Sequence, residues 1–421
     1  MFHRIVAAVI LFACAAPLAA QGTWTDLGNG LAGTHGTPAL TGSGTLVGGT
    51  PVSLSLTGAL ENSTSYLVIG LSEVNASFKG GVLVPAADVI VALPTAGDGT
   101  AQLAASWPWG LPFGASLTFQ SWVVDPAGPV GYASSNALRA TTPVLPVIGT
   151  FPADWINGSD CANDPLIQVH AYDANTYILR QSMCTNFEGP FMYLFFGNSK
   201  AYLMDTGAGG IPIAATVNQI VADWEAANGL DVELIVGHTH AHGDHTAGDS
   251  QFTGQPQTTV VGTGTGAVIG YYGFADWPND QVVLDLGGRK LDILGIPGHQ
   301  DASIAAYDRE TGLLVTGDTL YPGFLFIFGA VSGGNFAKYQ TSAQRMVDFT
   351  ASRPVSFVMG THVEMKSVPF ESYPYGTSVQ PFERDLELLI DHLVELNDAV
   401  QAMGSTPVNE AHADFIITPS G

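Results

Sequence analysis

Residues 238–245 read HTHAHGDH, which places four histidines and one aspartate within eight positions. A protein surface does not need so many imidazoles, and a hydrophobic core cannot easily satisfy their hydrogen bonds. Imidazole and carboxylate groups are ligands that zinc and related divalent ions accept. This stretch therefore indicates a metal centre, for which the rest of the chain must supply further ligands.

Three other places in the chain repeat the local pattern that precedes this stretch. VELIVG leads into residue 238, and comparable apolar runs with a closing glycine precede His299, Asp318 and His362. Each run predicts a short strand, so each metal-type side chain falls in the loop after a strand. Loops at strand ends are where α/β proteins assemble their sites. We expect these side chains to meet at one edge of the fold.

The motifs as a set resemble those of the metallo-β-lactamase fold superfamily. HAHGDH at 240–245 matches its HxHxDH signature, and PGH at 297–299, TGDT at 316–319 and GTH at 360–362 follow in the family's order. LMDTGAGG, which contains Asp205, matches an earlier strand-and-turn element. The resemblance covers residues 160–420 and implies an α/β fold, an αββα sandwich.

The resemblance also implies the metal ligands. His240, His242 and His299 would bind one divalent ion, Asp244, His245 and His362 a second, and Asp318 would bridge the two. Asp244 is also assigned a catalytic role. Zinc is the expected metal, with iron or manganese as alternatives. His238 has no ligand position in this register, so we expect it to support a ligand or to pack at the strand end.

A hydrolase is the activity that the resemblance implies. A hydroxide bridging the two ions would attack the acyl carbonyl of an ester, lactone, thioester or amide. In having an aspartate at position 318, the chain resembles the glyoxalase II-like and lactonase-like branches of the superfamily. This residue weakens a β-lactamase interpretation without excluding it. Two alternatives stay open: a mononuclear iron enzyme of the persulfide dioxygenase kind, without His245 and His362 as ligands, and a binding protein whose metal site is structural.

The region before the metal motifs has a different amino-acid composition. Residues 21–145 are rich in Gly, Thr, Ser and Ala, and their short alternating runs predict a smaller all-β sandwich that serves as a spacer or attachment domain. TTPVLPVIGTFPADW at 141–155 predicts a linker, and residues 146–421 form the predicted hydrolase domain.

Within the hydrolase domain, periodic apolar residues predict two helices. One runs from Pro212 to Gly229, and the other carries Leu386, Leu389, Leu393, Leu396 and Val400 on one face. The glycine- and aromatic-rich segment 320–339 predicts a loop rather than a helix. Its aromatic rings either form a hydrophobic wall or lid over the metals or, for about half of them, pack in the core. Glu364 either faces the site entrance or is an ordinary solvated carboxylate.

The N-terminal residues 1–20 predict a secretory signal peptide, with lipoprotein anchoring at Cys14 as the alternative. Cys161 and Cys184 then remain, and an exported chain with an even pair favours a disulfide. We therefore expect a secreted or periplasmic protein.

The net charge of −24 excludes nucleic acid and anionic membrane surfaces as partners. No later stretch is apolar enough for a membrane span, and the expected partner is a small-molecule substrate.

Overall fold

The computed structural model describes residues 23–46, 50–108, 111, 114–142, 146–329, 333–351 and 353–419. The predicted signal peptide, including Cys14, and part of the predicted linker lie outside the described residues. Among the helices within these ranges, none has the length and apolar character needed to cross a bilayer.

The region before the linker consists of short strands. These are β1 (Thr23–Gly28), β2 (Ala39–Ser43), β3 (Pro51–Thr57), β4 (Thr64–Gly70), β5 (Glu73–Phe78), β6 (Gly81–Pro85), β7 (Val89–Pro94), β8 (Ala101–Ser106), β9 (Ser116–Val124), β10 (Tyr132–Ser134) and β11 (Ala137–Thr141), with a 3₁₀ turn at Pro129–Gly131.

These strands form two sheets that share one core. One sheet has the order β1-β11-β9-β4-β7 with β10 beside β9, the other has the order β2-β3-β8, and β5 and β6 form a hairpin. Leu54 and Leu56 of β3 pack in one buried cluster with Leu67 of β4 and Phe119 of β9. The predicted all-β sandwich is confirmed. The boundary at residue 145 stays a prediction.

Strands and helices alternate after the linker. They are β12 (Ile167–Asp173), β13 (Thr176–Gln181), β14 (Phe191–Phe196), β15 (Lys200–Met204), α1 (Ile213–Asn228), β16 (Glu233–Gly237), α2 (Gly243–Thr246), β17 (Thr258–Val260), α3 (Thr265–Tyr272), β18 (Gln281–Asp285), β19 (Lys290–Gly295), β20 (Ile304–Asp308), β21 (Leu313–Gly317), β22 (Phe324–Ile327), α4 (Phe336–Thr350), β23 (Phe357–Gly360), β24 (Glu387–Leu388), α5 (Ile390–Ala402), β25 (Glu410–Ala411) and β26 (Ile416–Pro419), with a 3₁₀ turn at Asp249–Gln251.

Two sheets of this region stack face to face between helices. One has the order β12-β13-β14-β15-β16-β17 and the other β18-β19-β20-β21-β23-β24. Tyr193 of β14 and Ile293 of β19 lie in the core between them. The neighbouring Leu194 points to the opposite face and packs with Val217 of α1, since successive strand residues alternate sides. Residues of α4 and α5 cover the outer face of the second sheet. The predicted αββα sandwich is confirmed.

The two predicted helices differ in how well the sequence located them. Helix α1 begins after Pro212 and ends at Gly229, whose φ of 65° suits a glycine C-cap, so this prediction is confirmed. Helix α5 begins only at Ile390. Leu386 lies before the short strand β24 and is buried between the sheets, and Leu389 is exposed. The apolar face of α5 is therefore shorter than predicted.

The aromatic segment 320–339 is not one loop, so that prediction is wrong for much of its length. Phe324 to Ile327 form β22, which pairs with β26 in parallel. Phe336 begins α4, and Tyr339 is fully buried in the core beneath it. The pairing partner lies about ninety residues later in the chain, so local sequence did not reveal the strand. Residues 330–332 are outside the described ranges.

Cys161 and Cys184 form the predicted disulfide, with a sequence separation of 23. Replacing both by serine should lower the free energy of unfolding by about 3 kcal/mol, because the cross-link restricts the unfolded chain. Urea titration of the wild-type and double-serine proteins measures the difference. Equal stabilities, or full alkylation of both thiols without reductant in natively produced protein, would contradict this expectation.

Candidate metal centre

The seven sequence-predicted ligands come from the ends of strands in both sheets. Strand β16 ends at Gly237 directly before the histidine-rich stretch, which runs into α2. His299, Asp318 and His362 follow β19, β21 and β23 in the second sheet. The structure brings all seven side chains together in two overlapping groups.

The first group contains three imidazoles that converge on one point. His240 Nε2 lies 2.9 Å from His242 Nδ1 and 3.2 Å from His299 Nε2. His299 Nε2 lies 3.0 Å from His242 Nδ1. Three ring nitrogens this close cannot all satisfy one another by hydrogen bonds, because a neutral imidazole has one donor and one acceptor.

The second group combines two imidazoles with a carboxylate. Asp244 Oδ2 lies 3.1 Å from His245 Nε2 and 3.3 Å from His362 Nε2. The two Nε2 atoms are 3.3 Å apart. His245 is fully buried, whereas the Asp244 side chain is 22% exposed. The carboxylate therefore stands between the buried imidazoles and solvent.

Asp318 belongs to both groups. Its Oδ2 lies 3.7 Å from His240 Nε2 and 3.5 Å from His299 Nε2. Its Oδ1 lies 3.5 Å from His245 Nε2 and 3.4 Å from His362 Nε2. Thr361 Oγ1 donates a hydrogen bond to Oδ1. One carboxylate oxygen thus faces each group, as a bridging ligand requires.

Hydrogen bonds on the far side of three rings turn Nε2 toward the centre. His299 Nδ1 lies 2.7 Å from the carbonyl oxygen of Phe326, and His362 Nδ1 lies 2.9 Å from that of Glu188. A carbonyl only accepts, so Nδ1 carries the proton in both rings. His245 Nδ1 lies 2.9 Å from a carboxylate oxygen of Asp205. Such partners fix the tautomer of a ligating imidazole and raise its basicity.

Asp205 is a site residue whose role the sequence did not reveal. Its backbone has a φ of 74°, an uncommon conformation for a residue with a side chain. The buried carboxylate accepts hydrogen bonds from the Thr239 backbone N–H at 2.7 Å and from the Thr239 hydroxyl at 2.8 Å. Asp205 therefore ties the histidine-rich loop to the end of β15 while it orients His245.

The two groups differ in their protonation chemistry. Burial lowers the pKa of His240 well below its ordinary value and that of His299 to about 4, so both imidazoles are neutral. Burial opposes the charge on His362 as well, but Asp318 and Asp244 outweigh it and raise its pKa to about 10. The opposite effect holds the pKa of Asp244 well below its usual range. The second group therefore pairs the ionised Asp244 carboxylate with an imidazole that it helps to protonate, whereas His240 and His299 in the first group are neutral.

His238 lies outside both groups. Its Nε2 is 2.8 Å from Asp249 Oδ1 and its side chain is 4% exposed. The same Asp249 oxygen accepts a hydrogen bond from the hydroxyl of Thr206. His238 thus contacts none of the candidate ligand side chains through a described hydrogen bond, in agreement with the register that begins at His240.

A cavity of about 400 Å³ opens onto the two groups. Candidate ligands form its floor, and its walls include Glu188, Tyr321, Phe326, Phe328, Glu364 and Tyr375. Glu364 therefore faces the site, the first of the two roles that the sequence allowed. Burial raises the pKa of Glu364 to about 7 and also raises that of Glu188. No sequence motif marked Glu188 or Tyr375.

The donor set suits divalent metal ions. Zinc ligands about 2.0–2.1 Å from one tetrahedral ion would lie about 3.3 Å apart. The nitrogens of the first group are 2.9–3.2 Å apart. A cation at the point where they converge would satisfy all three. Asp244 and Asp318 would offset the charge of a second cation beside it.

Comparison with known proteins agrees with this geometry. Residues 185–362 match the family model described as the metallo-beta-lactamase superfamily. The chain is 34% identical over 83 residues to acyl-coenzyme A thioesterase MBLAC2 of Gallus gallus, covering 20% of this chain and 29% of that protein. It is 26% identical over 178 residues to hydroxyacylglutathione hydrolase of Dechloromonas aromatica (strain RCB), covering 42% of this chain and 58% of that protein. It thus spans less than two thirds of either relative.

Among solved structures, the metallo-beta-lactamase from Pontibacter korlensis matches with a TM-score of 0.37 and 16% identity, over 56% of this chain and 99% of that chain. The family match itself includes the elements that carry the candidate ligands, from the histidine-rich stretch after β16 to His362 after β23. Residues 185–362 of this chain therefore belong to the metallo-β-lactamase superfamily.

Proposed function

We propose that this protein is an exported hydrolase that uses two divalent metal ions, most simply zinc, to cleave an ester, lactone, thioester or amide bond. The observation that carries the proposal is the position of Asp318, which has one oxygen toward each ligand group at the floor of the cavity. His240, His242 and His299 would hold one ion, and Asp244, His245 and His362 the other.

Two divalent ions would polarise the scissile carbonyl and lower the pKa of a bound water to about 7. The protein contributes orientation through the Phe326 and Glu188 carbonyls and the Asp205 carboxylate, each of which holds one imidazole in place. Asp244 stays ionised because its pKa is strongly lowered. It can therefore act as a ligand and accept a hydrogen bond from the attacking water.

The mononuclear iron alternative receives less support from these positions. It requires that His245 and His362 do not bind metal, yet both converge on Asp244 and Asp318. The names of the relatives, a thioesterase and a glutathione thioester hydrolase, favour acyl hydrolysis over oxygenation. A purely structural metal would not need an adjoining cavity of this size.

Two further observations support export and a separate N-terminal domain. A disulfide such as Cys161–Cys184 persists in oxidising compartments. Within the described ranges, each sheet draws its strands either from residues 23–141 or from residues 167–419. We accordingly propose secretion or periplasmic location, with residues 21–145 as a spacer or attachment domain.

Purified protein loaded with zinc should contain close to two metal ions per chain and hydrolyse some member of a panel of chromogenic esters, thioesters, lactones and cephalosporins. Elemental analysis gives the stoichiometry, and dialysis against a chelator should abolish turnover, which added zinc restores. A firm stoichiometry of one iron per chain, unchanged by added zinc, would sink the dinuclear assignment. Turnover that survives complete metal removal would sink the hydrolytic mechanism.

A further inference from the structure

The cavity wall carries two carboxylates, Glu188 and Glu364, each of which the protein holds through one oxygen. Phe324 donates its backbone N–H to Glu364 Oε2 at 2.8 Å, and Tyr375 donates its hydroxyl to Glu188 Oε1 at 3.0 Å. Among the described residues, the second oxygen of each carboxylate has no hydrogen bond or ion pair to the protein. Each side chain is therefore anchored through one oxygen, which leaves the other to accept from a ligand.

No arginine or lysine is among the residues that line this cavity in the described part of the chain. Two basic side chains outside the cavity lining have acidic partners of their own, Arg180 with Glu383 and Lys366 with Glu371. A bound anion would consequently meet the carboxylates of Glu188 and Glu364 without a compensating cation beyond the metal centre. Like charges at short range disfavour binding.

An aromatic track leads from the metal centre to the surface. The Phe328 ring lies 5.2 Å from that of His299 and 5.7 Å from that of Phe326, with which it is stacked. Phe326 contacts Tyr375 at 5.3 Å, and Tyr375 contacts the exposed Phe187 at 5.5 Å. The track provides apolar surface for a substrate chain, and its ring faces can attract a cation.

We propose that Glu188 and Glu364 select substrates by charge, so that the cavity takes acyl compounds whose apolar part follows the aromatic track and carries a cationic group, and rejects anionic ones. The inference rests on the proposed hydrolase function. It separates this site from the relatives named for glutathione and coenzyme A thioesters, since both of those carriers are anionic. Cavities of a few hundred Å³ hold small molecules of this kind.

The test uses 4-nitrophenyl esters of one acyl length that end in trimethylammonium, tert-butyl or carboxylate, assayed with the zinc-loaded protein at pH 8. The first two end groups have nearly the same shape. We expect kcat/KM for the cationic ester to exceed that for the anionic ester by about 100-fold, with the neutral ester between them. Glu188→Gln and Glu364→Gln should each reduce this ratio by about 10-fold.

Glu371→Gln is the matched control, because Glu371 is an exposed carboxylate that pairs with Lys366 outside the cavity. It should leave all three rates unchanged. Calorimetric binding of phenylbutyltrimethylammonium, which has no bond to hydrolyse, gives a second readout. Its Kd should rise about 10-fold in each cavity variant and not in the control.

A wild-type preference for the anionic ester, or a ratio and a Kd that neither glutamine substitution changes, would overturn the charge selection. If a glutamine variant loses its metal or its fold, the test rests on the wild-type protein: a kcat/KM that is not higher for the cationic than for the anionic ester overturns the charge selection. If no ester, and no member of the wider panel of thioesters, lactones and cephalosporins, is hydrolysed although the ammonium compound binds through Glu188 and Glu364, the hydrolase proposal fails and the charge selection stands. The two failures are thus distinguishable.

Discussion

Replacing Asp318 with alanine is expected to lower kcat/KM by about 10³-fold or more, because each metal supplies several kcal/mol of transition-state stabilisation and about 1.4 kcal/mol corresponds to a factor of ten. The loss should be accompanied by depletion of both metal ions. Asp318 has one oxygen within 3.5 Å of His299 Nε2 and the other within 3.4 Å of His362 Nε2. Elemental analysis and a chromogenic ester assay measure both effects.

Comparison variants separate a bridging role from general damage at the site. Asp318→Asn keeps the side-chain shape and an oxygen that can accept from the Thr361 hydroxyl, but it loses the negative charge. It should therefore also weaken the binding of both metal ions. His240→Ala should affect the tri-histidine group first, because His240 Nε2 lies 2.9 Å from His242 Nδ1 in that group.

His238→Ala is the matched control within the same loop. His238 pairs with Asp249, so both ions should remain and activity should change little. The cost should appear as about 1–3 kcal/mol of stability, because a buried polar partner is lost. The register would be wrong if His238→Ala lost a metal equivalent and His242→Ala did not, and every ligand role would then need reassignment.

The candidate ligands were predictable because their signals are local. In HAHGDH the spacing of His240, His242, Asp244 and His245 is itself the signature, and strands that end in glycine precede the three other ligands. A strand end fixes where the next side chain emerges, so four such ends on two facing sheets bring the ligands to one edge. His238 was left out of the candidate ligands because the same signature begins at His240 and gives His238 no ligand position.

The residues that the sequence did not reveal depend on contacts between distant parts of the chain. Asp205 acts through Thr239 and His245, 34 and 40 residues later. Tyr375 and Glu188 meet across 187 residues. An isolated glutamate or tyrosine carries no motif, so only the folded arrangement shows that these two groups share a cavity with the ligands.

The secondary-structure predictions likewise succeeded where the signal is local and failed where the element depends on a distant part of the chain. Helix α1 carries its own start and stop signals in Pro212 and Gly229. The strand β22 has no such signal, because its hydrogen-bonding partner β26 lies near the other end of the domain. Its glycine- and aromatic-rich surroundings therefore indicated a loop, and tertiary pairing overrode that local preference.

A second large effect is expected at Arg289, which is fully buried where the two sheets meet. It pairs with Asp308 of β20 at 2.6 Å, and it donates at 2.6 Å to the Asn175 carbonyl and at 2.7 Å to the Thr176 hydroxyl in the first sheet. One side chain thus links β20 of the second sheet to the β12–β13 turn of the first. Its charge also offsets the other carboxylates around it, Asp173 among them.

Arg289→Met should lower the free energy of unfolding by about 3–5 kcal/mol, because it leaves a buried charge without its partner. The same substitution at the next residue, Lys290→Met, is the control. Lys290 lies 4.0 Å from Asp285, both side chains are about half exposed, and such pairs are worth about 0–1 kcal/mol. Urea titration at a fixed metal concentration compares the three proteins.

The pH dependence of the Arg289→Met deficit tests its electrostatic origin. Burial alone would raise the pKa of Asp308, but Arg289 outweighs it and lowers the pKa below the ordinary value. The wild-type pair is therefore fully stabilising above about pH 4, the pKa of an unfolded aspartate, and weakens only as the pH falls through the lower folded value. Without Arg289, burial should raise the pKa of Asp308 above the unfolded value. The variant then loses stability as the pH rises through that window, so its deficit in unfolding free energy should be larger at pH 8 than at pH 5.

Adding Asp308→Asn to Arg289→Met should recover part of the lost stability at pH 8, because it removes the unpaired charge. A deficit that is the same at both pH values and is not reduced in the double variant would instead assign the effect to lost packing.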